Sequence, residues 1–272
     1  VVRVALKVGY IGDSFHGFQR QLNFQTVEGE LIKAFKKVGL MDAPEKSGYS
    51  IAGRTDKGVH ALGNVVSFNT DQNLIINQIN DLLPQSIRIL ASVEVPSNFN
   101  PRFAMERHYR YVFTMDPLNK SSFNIEKMKS ASKIFVGTHD FHNLSKKSER
   151  SPVRTINSIG ISHGHGCIVF DVVGQSFLWN MVRKMVNVLL MVGSDEMDLD
   201  EVETLLNPNV NQIVLPAPPE NLILMDVVYD GIEFNEDSYA KTKFLKSIHE
   251  EYLQNIQAAA VEREIIRILS LD

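Results

Sequence analysis

The chain contains one cysteine, Cys167, in 272 residues. That excludes an internal disulfide and a cysteine-built metal cluster, and it fits a reducing compartment. Cys167 itself sits in a strand-like run, CIVFDVV, and reads as inert core. No stretch reaches the ~20 uninterrupted apolar residues of a membrane span. The opening residues, VVRVALKV, lack the pattern of a secretory leader and read as a strand. No low-complexity tract occurs. No G-x-G-x-x-G precedes a helix, so the usual dinucleotide fingerprint is missing; GYIGDSFHG has the glycines but not the spacing. The histidines show no ligand spacing. His163 and His165 stand two apart in a glycine turn, and His139, Asp140 and His142 follow Gly137 in what reads as a loop, so no metal site is expected.

Basic residues are also unevenly missing. Residues 185–240 contain no Lys or Arg but twelve acids, whereas residues 102–154 contain eleven Lys and Arg against five acids. A net charge of −4 does not advertise nucleic acid. The separation of sign nevertheless suggests a directional surface, with ordinary surface scatter as the alternative.

What is present is a soluble globular composition, 44% hydrophobic, long enough for one large domain or two ordinary ones. Val2, Val4, Leu6, Val8 and Tyr10 alternate, which predicts a strand. Val27, Leu31, Ala34, Phe35 and Val38 recur at helical spacing, with Thr26 placed to cap the start and Gly39 to end the helix. Strands are expected at 49–52 and 64–69, a helix at 74–83 ending before Pro84, and a strand at 87–95. A second half begins near Phe103. It has a strand at 108–115, a helix at 125–135, a basic loop at 145–155 (SKKSERSPVRT), and a hairpin of 156–162 and 167–173 turning through HGHG. A long apolar helix at 177–192, a short acidic helix at 198–206, a Pro-rich loop, a strand at 223–229 and a charged helix from Ser238 complete the chain. Each half reads strand, helix, strands, helix, strand, an α+β pattern.

The most informative segment is AGRTDKGVHA at 52–61, expected as a loop between strands. Asp56 stands between Arg54 and Lys57, Gly53 and Gly58 bracket the group, and His60 follows. Glycines permit a tight turn, and a carboxylate among cations can serve as base or nucleophile. Taken alone, the segment also fits a polar surface turn. Arg183 is the second informative residue. It lies in WNMVRKMVNVLLMV, a helix of little polarity, where a partly buried guanidinium needs an anion. Pairing with Asp56 would satisfy both charges; snorkelling to solvent is the alternative. Tyr109, Tyr111 and Phe113 share one face of a strand, with His108, Arg110 and Val112 on the other. Aromatics beside basic residues suit stacking on an unpaired base, although a core strand is the commoner meaning of such a stripe.

Together these motifs resemble the TruA family of tRNA pseudouridine synthases across about the first 230 residues. YIGDSFHGFQRQ (10–21) followed by TVEGEL (26–31) resembles the opening signature. AGRTDKGVHA resembles the catalytic loop, ERHYRYVF (106–113) the tyrosine strand, FLWNMVRKMV (177–186) the arginine helix and APPENLILMDVVY (217–229) the last core strand. The resemblance implies an α+β pseudouridine synthase fold. Its sheet is mixed and mainly antiparallel, made of two similar ferredoxin-like halves flanked by helices, with a cleft between them. The halves fall at 1–103, carrying the catalytic loop, and 104–237, carrying the tyrosine strand and arginine helix; 238–272 is an unmatched helical extension.

By the same resemblance Asp56 is the essential aspartate, Arg183 its partner, and Tyr109 the residue that stacks on the uracil. Arg54 helps displace the nucleotide, Leu222 lines the pocket, and Lys57 and His60 join the substrate-binding set. The implied enzyme is a cytoplasmic, homodimeric isomerase that acts on tRNA at positions 38–40 of the anticodon stem–loop, without metal or cofactor and without membrane contact. Two alternatives stand beside it: the same chemistry at other RNA positions, and a non-catalytic RNA-binding module on the same scaffold. The chain departs from the family pattern at Trp179 and Asn180, where histidine is common, and at Asn187 and Asn221, where glycine is.

Overall fold

Alternating apolar residues at the N-terminus do form the first strand, and the ends of the following helix lie where the capping residues place them. The computed structural model describes residues 1–116, 122–145 and 151–270. In chain order the elements are β1 (Val2–Tyr10), α1 (Val27–Lys37), β2 (Ser50–Ile51), β3 (His60–Thr70), α2 (Ile76–Asn80), β4 (Ile87–Val95) and β5 (Glu106–Thr114). There follow α3 (Ile125–Phe135), β6 (Gly137–Asp140), β7 (Val153–Gly164), β8 (Cys167–Gly174), α4 (Met181–Gly193) and α5 (Leu199–Thr204). The chain then runs through β9 (Leu222–Val228), β10 (Asn235–Glu236) and α6 (Ser238–Leu269). Thr26 accepts from the Gly29 amide at the start of α1, and Gly39, at φ 77°, follows its end. Asp198 and Glu201 form a reciprocal capping box on α5.

The strands form one sheet in the order β10-β4-β1-β3-β9-β5-β8-β7-β6, with β2 paired to β3. The architecture is the expected α+β one, a mixed, mainly antiparallel sheet flanked by helices. Neighbouring strands are antiparallel except β3 and β9, which run parallel and meet at His60–Ile223 and Ala61–Leu224. Two apolar cores flank this junction. One gathers Val4, Leu6, Val8, Phe35 and Phe68, and β9 contributes Leu224 and Val227 to it. The other gathers Tyr111, Met128, Phe135, Phe170 and the inner face of α4, with Leu222 joining from β9 and Val59 from the 52–61 loop. The 52–61 loop is therefore clamped between both cores.

Several elements depart from the sequence expectation. The strand at 49–52 shrinks to two residues, and β3 begins at His60, inside the motif, because the parallel pair with β9 recruits its first two residues. The helix at 74–83 is only Ile76–Asn80. Residues 137–140, expected as a loop, form edge strand β6 on β7, followed by a single helical turn at His142–Leu144. The expected helix at 177–192 starts at Met181, because Asn180 adopts a left-handed backbone (φ 63°) that no helix continues through. Of the basic loop, residues 146–150 lie outside the described residues, and β7 has begun by Val153. The hairpin turn falls where expected, with His165 and Gly166 both at positive φ. Helix α6 buries Ala240 and Phe244 against the body, and from residue 250 to 269 it is exposed almost throughout. Among the described residues no helix is long and apolar enough to cross a membrane.

Candidate active site

A turn carries the acid. The Val59 amide donates to the Asp56 carbonyl at 3.2 Å, with Gly58 at φ 86°. Behind the turn, Asn64 donates to the Gly53 carbonyl and to the Tyr10 hydroxyl, both at 3.1 Å, and that hydroxyl shares a 2.8 Å hydrogen bond with Thr55. Tyr10, Thr55 and Asn64 are buried, so this network costs little exposed polar surface and holds the loop's backbone rigid. The loop after β1 lies directly against the same turn. The Phe18 amide donates to the Thr55 carbonyl at 3.0 Å. Gly12 comes so close that a Cβ there would stand 2.1 Å from the Val59 carbonyl oxygen. Gly17, at φ 86°, would place one 3.0 Å from the Thr55 carbonyl oxygen. The glycines of the opening signature thus exist for contact with the 52–61 loop.

The turn opens into a cleft of about 1010 Å³. Asp56, Arg54, Lys57, Tyr109, Arg183 and Leu222 all line it. Arg183 donates from Nη1 to Asp56 Oδ2 at 3.1 Å and to Asn180 Oδ1 at 3.0 Å, and from Nε to the Ala217 carbonyl at 2.6 Å. Its side chain is 12% exposed and that of Asp56 35%. The guanidinium is therefore turned inward rather than snorkelling, and the carboxylate keeps an open side towards the cleft. Asp56 Oδ1 accepts a second hydrogen bond, from Trp179 Nε1 at 2.9 Å.

Tyr109 packs edge-on against Phe177, ring centroids 5.2 Å apart, and burial pushes its phenol up to about 12. It is neutral at physiological pH, a flat apolar face with a polar tip. Tyr111, two residues on, is fully buried in the core. Leu222 is 6% exposed where β9 begins.

His60 is placed differently from the other sequence-predicted residues. The Gly12 amide donates to its Nδ1 at 3.1 Å, which leaves the proton on Nε2 to be donated to the Glu220 carbonyl at 2.8 Å. Its ring ties β3 to the turns on either side and does not line the cleft. The basic 102–154 segment is divided as well. Arg102, Arg107 and Arg154 line the cleft, whereas Arg110 points to the other sheet face and binds Asp171 through two nitrogens at 2.8 and 3.0 Å.

Two residues had no assigned role in the sequence. Buried Arg107 donates to the carbonyls of Gln175, Ala52 and Arg102, fastening the start of the 52–61 loop to its surroundings. The charged residue inside a strand with Tyr109 was its only signal. Trp179, the chain's one tryptophan, contacts Asp56. It lies before the helix, next to the left-handed Asn180, and not within it.

Arranged this way, the cleft presents an anchored carboxylate, a neutral aromatic face, an apolar wall and several cations, a set suited to a flipped pyrimidine on a phosphate backbone. A family model described as tRNA pseudouridine synthase matches residues 131–230. The match includes Arg183 and Leu222 but not Asp56 or Tyr109. The chain is 43% identical to a tRNA pseudouridine synthase A from Methanosphaera stadtmanae over 98% of both chains. It is 46% identical to one from Methanothermobacter thermautotrophicus, covering 96% of this chain and 94% of the other. A third, from Thermococcus sibiricus, is 40% identical over 96% of this chain and 97% of its own.

Proposed function

The chain belongs to the tRNA pseudouridine synthase A family, and on that premise we propose that it isomerises uridine to pseudouridine at positions 38–40 in the anticodon stem–loop of tRNA. The observation that carries the reading is the 3.1 Å contact between Arg183 and Asp56, 127 residues apart, on the wall of a cleft large enough for an extruded nucleotide. An acid fixed in this way has a task to perform, and a passive RNA-binding module has no use for it.

In the reaction the C1′–N1 bond breaks, the uracil turns, C1′–C5 forms, the C5 proton leaves and N1 gains a hydrogen. Nothing is oxidised and no group is lost. Extruding the base costs a few kcal/mol, least in a loop. Arg54 and the cations at the mouth hold the displaced backbone, Tyr109 stacks on the uracil, and Leu222 closes the apolar side. Lys57, beside Asp56, adds to the same field. Asp56 either attacks C1′ or removes a ribose proton, and afterwards assists departure of the C5 proton. His60 serves the reaction by holding the loop. The chain acts as a cytoplasmic homodimer, its body divided near residue 103 and residues 238–272 a helical C-terminal extension.

Tritium release from tRNA labelled at uridine C5 tests the assignment, since the label can leave only with the C5 proton. Asp56→Asn is expected to release none while binding tRNA within about two-fold of the parent, because the variant keeps the shape and loses the ionised oxygen. Turnover at the parental rate would remove Asp56 from the chemistry. Mapping pseudouridine in tRNA from cells lacking the protein decides the position; loss outside the anticodon stem–loop would reassign the substrate and leave the reaction in place.

A further inference from the structure

The four residues before α4 each serve a different part of the site. Phe177 packs on Tyr109, Leu178 is buried in the second core, Trp179 donates to Asp56 and Asn180 accepts from Arg183. Asn180 makes this possible. The Met181 amide donates to the Leu178 carbonyl at 3.1 Å and closes a tight turn, and the left-handed backbone of Asn180 within it directs the preceding indole across the cleft instead of along the helix. Arg183, one turn later, reaches the same carboxylate from the helix itself.

We infer that Trp179 is a positioning residue for Asp56. A carboxylate held by one donor can still rotate about its Cβ–Cγ bond, a torsion with a broad, two-fold profile. Arg183 occupies Oδ2 at 3.1 Å and Trp179 occupies Oδ1 at 2.9 Å, so rotation would break both hydrogen bonds at once. Each oxygen has two lone-pair positions, and one donor apiece leaves the other free for substrate. The indole does not seal the acid. With both donors in place Asp56 remains 35% exposed, and Trp179, 54% exposed, stands at the rim rather than on the floor. The indole is thus an orienting strut on the outer side of the carboxylate, opposite the rigid guanidinium on the inner side.

The inference rests on the pseudouridine synthase reading, and the experiment separates the two. Parent, Trp179→Phe and Trp179→His are compared in single-turnover tritium release from C5-labelled tRNA, with tRNA affinity measured in parallel. The phenylalanine keeps a ring and loses the N–H; the histidine restores a ring donor. We expect Trp179→Phe to slow the step about ten-fold, the scale of one hydrogen bond to a charged group, with affinity within about two-fold, and Trp179→His to recover most of the loss.

A second readout needs no turnover. Trp179 is the chain's one tryptophan, so intrinsic indole emission comes from this side chain alone, and Asp56→Ala is expected to shift it in the absence of tRNA. Parental or faster release by Trp179→Phe, a loss confined to affinity, a failure of histidine to rescue, or emission indifferent to Asp56→Ala would each overturn the inference. An inactive parent protein would instead overturn the functional reading on which it rests.

Discussion

Arg183 illustrates how much a single side chain can require of its surroundings. Its guanidinium meets a carboxylate, a carboxamide and a backbone carbonyl in three directions. A lysine could satisfy one or two of these with a point charge but not all three from a planar fork. Arg183→Lys is therefore expected to lower kcat by at least about 100-fold in the tritium-release assay, with tRNA affinity little changed. Activity within a few-fold of the parent would show that charge alone suffices. The pairing of Arg183 with Asp56 was legible from the sequence because two isolated charges in otherwise unfavourable settings each need the other. The contribution of Trp179 was not legible. Its direction depends on one backbone torsion at Asn180, and a helical pattern running from 177 to 192 concealed that torsion.

At the scale of elements, close approach decides more than propensity does. The loop after β1 can lie against the turn that carries Asp56 only because Gly12 and Gly17 have no Cβ. At Gly12 the obstacle is the backbone carbonyl of Val59, which no rotamer change relieves. Gly12→Ala is expected to cost about 1–3 kcal/mol of stability, read from chemical denaturation, and to depress activity further by shifting the turn that carries Asp56. An unchanged denaturation midpoint with parental activity would contradict the close packing described. Helix α1 was readable because Thr26 marks its start locally, and in the structure Thr26, Asn124 and Asp198 each accept a backbone N–H of the first turn of α1, α3 and α5. Strand β6 was not, since four residues beginning with glycine have no alternation to betray them and become a strand only through pairing with β7.

The whole molecule is held by buried aromatics that have a consequence in alkali. Burial raises the phenols of Tyr10, Tyr49, Tyr109, Tyr111 and Tyr229, with Tyr109 and Tyr111 pushed up to about 12. In the unfolded chain they ionise near the ordinary tyrosine value of about 10. The folded state therefore retains protons that the unfolded state releases. Their contribution is fully present below about pH 10 and is lost as pH rises towards the folded values. Each phenol lowers the unfolding free energy by about 1.4 kcal/mol per pH unit in that window. Denaturant titrations between pH 8 and pH 11 should show a plateau followed by a steep fall; a flat profile through pH 11 would contradict the burial of these rings.

The sequence by itself determined the α+β class, the main strands and helices and the residues able to carry chemistry, because these follow from periodicity, capping and charge within short windows; it offered the pairing of acid with guanidinium as one of two readings. Only the tertiary structure decided that β3 and β9 meet in a short parallel contact, that His60 ties the loop in place without lining the cleft, and that Trp179 reaches Asp56. Each of these joins segments more than a hundred residues apart, and their geometry is set by close packing and individual backbone torsions, which no local pattern of residue types encodes.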